Sequence, residues 1–284
     1  MKVIVDSDTK VIVQGITGHQ GMFHTGEMLK FGTKVVAGVS PGKGGQKVHD
    51  LPVFDTVSEA MHLMPEATMI SVPAPLVKDA AYEALDSGIK VVYILTEHVP
   101  FHDAMDILYN ARRKGAVVLG PNGPGITRPG MCKIGIMPNT IFRKGNVAVA
   151  SRSGTLTYEI VNAITQSGMG ESTVIGLGGD PVPGMDFIEV LELFNADPDT
   201  EKIVLVGEIG GSNEERAAEY IKKYVKKKVV AYIAGRSAPP GKRMGHAGAI
   251  IERGVGTAES KIKAFGDAGV DVAEYPVDIP KLLR

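Results

Sequence analysis

Short runs of aliphatic and β-branched residues recur along the chain, with helix-length amphipathic segments between them. Val11-Ile12-Val13, Lys34-Val35-Val36-Ala37-Gly38, Met69-Ile70-Ser71-Val72, Val91-Val92-Tyr93-Ile94-Leu95 and Ala116-Val117-Val118-Leu119 lack apolar-polar alternation, the pattern of parallel strands covered on both faces. The segment from Val77 to Asp86 places apolar residues three and four apart and meets Gly88, a helix stop. The densest turn signal, Gly120-Pro121-Asn122-Gly123-Pro124-Gly125, opens an irregular stretch reaching Lys144-Gly145-Asn146. Alternation then restarts: strands at Val147-Ala150, Val174-Gly176, Ile203-Val206 and Val229-Ile233, and helices from Leu156, near Phe187-Leu191 and near Ala217-Tyr220. The pattern predicts an α/β protein of two doubly wound domains, residues 1-123 and 124-284.

Charge narrows the partners. Thirty-one basic against 32 acidic side chains give a formal charge of -1, which removes a general electrostatic case for nucleic acid or an anionic membrane, so any anion is bound locally. A single cysteine, Cys132, makes no intrachain disulfide; it reads as a small core residue, and the chain fits a reducing compartment. No apolar run approaches the roughly 18 residues of a membrane span. The first six residues, Met1-Lys2-Val3-Ile4-Val5-Asp6, carry charge where a signal peptide is apolar, so the expected address is the cytoplasm.

Two regions offer chemistry to anions. After the first strand, Gln14-Gly15-Ile16-Thr17-Gly18-His19-Gln20-Gly21 lets the backbone turn tightly and present free N-H groups at a helix start. Its spacing is G-x-x-G-x-x-G rather than the dinucleotide G-x-G-x-x-G, and a tight turn without a ligand is the alternative. The second strand ends in Gly38-Val39-Ser40-Pro41-Gly42-Lys43-Gly44-Gly45; Lys43 stands where an NAD site carries an acid, which favours a ligand with phosphate near its ribose, NADP or coenzyme A. Val72-Pro73-Ala74-Pro75 and Leu95-Thr96-Glu97-His98 fall at the carboxyl edge of the same sheet.

In the second half, Ser153 or Thr155 caps a helix in Ser151-Arg152-Ser153-Gly154-Thr155, and Ser153, Gly154 and Thr155 read equally as an anion cradle or as an ordinary capped helix start. His246, in Lys242-Arg243-Met244-Gly245-His246-Ala247-Gly248-Ala249, is set among small residues on a loop, where neutral imidazole is a nucleophile toward phosphorus. Glu208, at the end of a strand, is placed to hold one ring nitrogen. No segment fits G-x-x-x-x-G-K-[ST], so the nucleotide and its Mg2+ are expected on a second chain. His24, His49, His62, His98 and His102 show no metal-ligand spacing, and no metal site is expected. Lys222 to Lys228 reads as a solvated helix end and the methionines as core filler.

These motifs, in this order over nearly the whole chain, resemble the succinyl-CoA synthetase (succinate-CoA ligase) alpha subunits. Carrying the resemblance are Gly15 to Gly21, Ser40 to Gly45, Val72 to Pro75, Leu95 to Glu97, Ser151 to Glu159, Gly178-Gly179-Asp180-Pro181, Gly207-Glu208-Ile209-Gly210-Gly211 and Gly241 to Ala249. His19 departs from a serine common in the family, and Gly123 from the cysteine of Pro-Asn-Cys-Pro-Gly. The resemblance implies a Rossmann-like CoA-binding domain followed by a flavodoxin-like ligase domain. It further implies that Thr17, Gly18, His19, Gln20, Lys43, Leu95, Thr96 and Glu97 contact CoA, that His246 is the phosphohistidine with Glu208 as partner, and that Tyr158 serves the carboxylate substrate. The implied activity is reversible ligation of succinate and CoA in the tricarboxylic acid cycle, with ATP or GTP bound by a beta subunit in a heterodimer or heterotetramer. A malate-CoA ligase alpha subunit is the near alternative. A non-catalytic CoA- or NADP-sensing module is the distant one, since it has no use for His246 with Glu208.

Overall fold

A computed structural model describes residues 4-239, 241, 244-246, 248-251 and 255-284. Pro240, Lys242, Arg243 and Ala247, which belong to the turn and motif around His246, lie outside the described residues. Among the described residues the chain forms two mainly parallel sheets of seven strands each.

The first half runs β1 (Lys10–Gln14), α1 (His19–Phe31), β2 (Lys34–Val39), β3 (Lys47–Val48), β4 (Leu51–Phe54), α2 (Val57–Ala60), β5 (Ala67–Ile70), α3 (Val77–Asp86), β6 (Val91–Ile94), α4 (Phe101–Arg113) and β7 (Val117–Leu119). Its sheet order is β3-β4-β2-β1-β5-β6-β7, with β3 antiparallel to β4 and the rest parallel. Leaving β3 aside, this is the Rossmann order 3-2-1-4-5-6, in which the chain winds outward from β1, then returns to β5 on the other side. The carboxyl ends of β1 and β5 therefore flank the crevice where such sheets bind ligands. Strand interiors are fully buried, as at Val11, Ile12, Val13, Met69, Ile70, Val92 and Tyr93, because helices cover both faces.

The second half runs β8 (Gly125–Arg128), β9 (Cys132–Gly135), β10 (Lys144–Ser151), α5 (Gly154–Gln166), β11 (Glu171–Gly176), α6 (Phe187–Ala196), β12 (Lys202–Glu208), α7 (Asn213–Tyr224), β13 (Lys228–Ala234), α8 (Ala258–Asp267), β14 (Asp271–Ala273) and α9 (Ile279–Leu282). Its sheet order is β14-β13-β12-β10-β11-β8-β9. The five parallel strands follow the flavodoxin order 2-1-3-4-5, with the switch between β10 and β12. The stretch after Gly125, read from sequence as irregular, instead folds β8 and β9 into a hairpin that adds antiparallel to β11. Short strands interrupted by Pro129 and Gly130 are too brief to show a period.

Two details refine the reading of polar segments. Ser153, not Thr155, caps α5, its hydroxyl accepting the Leu156 N-H at 3.3 Å. Lys227 is not a free surface cation: its ammonium donates to the carbonyls of Phe194 and Asp197 at 2.7 and 2.5 Å, closing the carboxyl end of α6.

The two halves are stitched along a seam. Thr33 bridges to β9 through both its hydroxyl donation to Lys133 C=O (2.7 Å) and acceptance of the Lys133 N-H (3.0 Å). Lys133 is almost fully buried, its ammonium donating to Met137 C=O (2.9 Å) and Asn139 Oδ1 (2.5 Å), and burial lowers it to about 8. At the carboxyl edges, Asn122 joins both sheets: its N-H donates to Thr96 C=O (3.2 Å), its C=O accepts the Gly179 N-H (3.2 Å) and its amide donates to Asp180 (3.0 Å).

Candidate active site

The carboxyl edges of the two sheets face a common cavity of about 760 Å³. One side is built from the first half. β1 ends at Gln14, and Gly15 takes φ +82, where a Cβ would stand 2.4 Å from Ser71 C=O; only glycine lets the chain pass so close to β5. The chain then enters α1 with Gly18 as N-cap, which has no side chain to cap with, so the first amides of the helix stay uncapped beside the cavity. Gly18, His19 and Gln20 line the cavity with His24, Val72 and Pro73. Leu95, Thr96 and Glu97, just past β6, complete that wall; the Thr96 hydroxyl donates to Val72 C=O at 2.7 Å, fixing one strand end against the next.

Thr17 and Lys43 do not line this cavity. The Thr17 hydroxyl donates to the Ser40 hydroxyl at 3.1 Å, coupling the loop after β1 to the loop after β2. That second loop is a chain of turns, held where the Gly44 N-H donates to Asp55 at 2.8 Å, and it carries Lys43 exposed to solvent. An exposed lysine on a fixed turn is a point charge for a ligand that extends beyond the cavity.

The opposite wall is the start of α5 and the His246 loop. Gly154, Thr155, Tyr158 and His246 line the cavity, whereas Ser153 and Glu208 sit behind it, 9% and 6% exposed. Ser153 is occupied in shaping the helix start, its N-H donating to the Ser151 hydroxyl and its C=O accepting from Thr157. Tyr158 is half-buried, and burial raises its hydroxyl above the usual value. The His246 ring packs on Gly179, where a Cβ would lie 2.5 Å from the ring's Cγ. Gly123 is similarly tight: a side chain there would reach 2.9 Å from Gly176 C=O, so the glycine suits the close seating of this segment on β11.

His246 Nδ1 and Glu208 Oε2 are 2.7 Å apart. The carboxylate accepts, so Nδ1 carries the hydrogen and Nε2 keeps its lone pair. The hydrogen bond to Glu208 raises His246 above its usual 6.5, outweighing burial, with the Glu208 charge adding to it, Arg152 opposing and Asp180 assisting. Glu208 Oε1 lies 3.3 Å from Arg152 Nη2, an ion pair whose angle falls short of a hydrogen bond. Burial alone would lower Arg152, but Glu214 and Glu208 together hold it above its usual value.

Sequence reading singled out neither Asn122 nor Asp180 nor the charges behind Glu208. Asn122 stood inside a turn signal, and Glu214 looked like an acid at an ordinary helix start. Arg152 lay within a recognised motif, but nothing local told that its side chain points back to β12.

Comparisons with known proteins bear on the family of the whole chain. A family model described as CoA binding domain matches residues 6–98, and one described as CoA-ligase matches residues 150–270. Among solved structures, ATP citrate lyase from Methanothrix soehngenii in complex with citrate and coenzyme A superposes with a TM-score of 0.91 at 26% identity, covering 99% of this chain. This chain spans about half the length of that one, 50%. Succinate-CoA ligase (ADP-forming) subunit alpha 2 of Archaeoglobus fulgidus is 56% identical over 100% of this chain and 99% of its own. The corresponding alpha subunit of Methanothermobacter thermautotrophicus is 53% identical over 99% of this chain and 96% of its own. Identity at this level from end to end, with both domains in the same order, means that the chain belongs to the succinate-CoA ligase alpha subunits.

Proposed function

We propose that this chain, paired with a nucleotide-binding beta subunit in the cytoplasm, ligates succinate to CoA reversibly through a phosphorylated His246. The observation that carries the reading is the 2.7 Å bond from His246 Nδ1 to Glu208, on an imidazole that lines the same cavity as the start of α1. The alpha-subunit name of the relatives supports a partner chain, and the single cysteine suits a reducing compartment.

In the synthesis direction the Nε2 lone pair attacks the γ-phosphorus of a nucleoside triphosphate, held with its Mg2+ mainly by the partner. The Nε2-P bond forms as the bond to the nucleoside diphosphate oxygen breaks. The ring becomes cationic, and Glu208 stabilises it through the Nδ1-H it already accepts. A succinate carboxylate oxygen then takes the phosphoryl group, returning neutral imidazole and giving an acyl phosphate. Attack by the CoA sulfur on the acyl carbon expels phosphate, which keeps the thiol proton.

Each phosphorylated species is met by backbone donors. Gly154 and Thr155 at the start of α5 are placed for a phosphoryl group on one wall. Opposite, the amides of His19 and Gln20 are assigned to the CoA phosphates, beside Gly18, whose own N-H is taken by Gly15 C=O (3.0 Å), with Leu95 to Glu97 as further CoA contacts and Lys43 outside the cavity for the ribose phosphate. Tyr158 is assigned to the succinate carboxylate.

Supplying the pair with γ-labelled nucleoside triphosphate and Mg2+ tests this. Acid-labile, alkali-stable label should appear on His246 and vanish on adding succinate and CoA. Label on another histidine in the His246→Asn chain overturns the assignment.

A further inference from the structure

Behind Glu208 stands a chain of buried charges that the phosphoryl-transfer scheme does not use. Glu214 Oε1 accepts both the Glu208 N-H (3.2 Å) and Arg152 Nη1 (2.9 Å). Glu214 Oε2 lies 2.5 Å from the Lys261 ammonium, which also donates to Gly211 C=O (3.0 Å) and Glu215 (2.9 Å). Glu214 and Lys261 are wholly buried, and Arg152 is 9% exposed. Neither Glu214 nor Lys261 lines the cavity. Packed apolar side chains of similar volume often match or exceed the stability of such a network, so fold stability is a weak reason for it.

The connections give a better one. Arg152 is shared between two carboxylates, and Glu208 has no other Lys or Arg within 4.0 Å among the described residues. Were Glu214 without its own counter-charge, it would draw the guanidinium away from Glu208. Lys261, brought from α8, supplies that counter-charge on the far oxygen of Glu214 and leaves Nη2 of Arg152 to Glu208. The backbone makes room for the arrangement: at Gly207 a Cβ would lie 2.6 Å from Glu214 Cγ, so the glycine before Glu208 lets Glu214 lie against β12.

We infer that Lys261 and Glu214 are positioning residues for phosphoryl transfer, acting through Arg152 and the Glu208 backbone to keep the Glu208 carboxylate aimed at His246 Nδ1. This rests on reading His246 as the nucleophile. No contact with substrate is assigned to either residue; the effect is on the rate at which His246 is phosphorylated, not on CoA binding.

A double-mutant cycle in the reconstituted pair tests the inference. Lys261→Met should slow labelling of His246 by about 10- to 100-fold and leave the Kd for CoA within about twofold of the parent. Lys261→Arg, which keeps the charge, should recover part of the rate. Added to Glu208→Gln, Lys261→Met should cost less than about threefold more, because the residue it acts through is already disabled. A wild-type labelling rate in Lys261→Met, or the same loss repeated in the Glu208→Gln background, overturns the inference. If Lys261→Met does not fold, Lys261→Gln, which removes the same counter-charge from Glu214 and keeps a donor for Gly211 C=O, is read in the same cycle with the same criteria. Label surviving in the His246→Asn chain would instead defeat the underlying reading of the nucleophile.

Discussion

The two halves solve one problem, presenting a carboxyl-edge crevice to an anion, with different materials. In the first half the crevice is made of backbone amides and exposed or half-buried side chains: Gly18, His19 and Gln20 are exposed, and so is Lys43. In the second half, the residues behind the crevice are buried ions, Arg152, Glu208, Glu214 and Lys261, each paired with another. A ligand that arrives and leaves is served by donors already solvated when it is absent. A side chain that must change its bonding during turnover needs charges fixed in advance, because reorganising them during the reaction would add to the barrier. On the proposed reading, the same strand-loop-helix plan therefore serves binding on one side and chemistry on the other.

The sharpest way to break that contrast is Glu208→Gln. It removes the charge that stabilises the cationic ring, and labelling of His246 should fall by about 10²- to 10⁴-fold with CoA affinity unchanged. The pH profile of the residual rate carries a second signature. Only neutral imidazole attacks phosphorus, and Glu208 raises the proton affinity of His246, so labelling in the parent should rise with pH through a midpoint above 6.5. Without Glu208, burial and Arg152 oppose protonation with Asp180 alone assisting it, so the midpoint should fall below that of the parent. An unchanged midpoint would mean that Glu208 does not control the proton.

Gly179→Ala attacks the same side through shape alone. Its Cβ would lie 2.5 Å from His246 Cγ, so the ring must shift. A displacement near 1 Å at a reacting group costs on the order of 100-fold, and stopped-flow labelling should show a loss of that size. Calorimetry with CoA should again show no change. A large loss of CoA affinity would indicate that the two crevices are not separable.

On the other wall the effects should be smaller, because solvated contacts are worth less. Lys43→Ala should weaken CoA by about fivefold and dephospho-CoA by less, measured by calorimetry at low salt, with the difference shrinking as salt is raised. Equal weakening of both ligands would place Lys43 away from the 3′-phosphate.

Much of this division was legible in the sequence. Strands buried on both faces announce themselves as unbroken apolar runs, and Val11 to Val13 or Ile203 to Val206 fall within strands of the structure. Glu208 and His246 were recognised as a pair although 38 residues apart, because strand ends of one sheet gather at one edge. The hairpin of β8 and β9 escaped notice because its strands are four residues long and bracket a Pro-Gly turn. Glu214, Glu215 and Lys261 escaped for another reason. Two acids in the first turn of α7 satisfy a local rule completely, and only the packing of α8 on α7 shows that a buried lysine holds them.

The Asn122 junction fixes a length scale for catalysis. On the proposed reading, phosphoryl transfer and thiol attack belong to opposite walls, and between those walls runs one short peptide, bonded to Thr96 on one side and to Gly179 and Asp180 on the other. On that reading the acyl phosphate formed near His246 has to come within bonding distance of a sulfur anchored from the far wall, so the spacing of the walls sets the reach of the second step. Lengthening the peptide between Leu119 and Gly125 by one residue should slow ligation more than it slows labelling of His246. In that sense the junction is a gauge between two sheets that already share one apolar core.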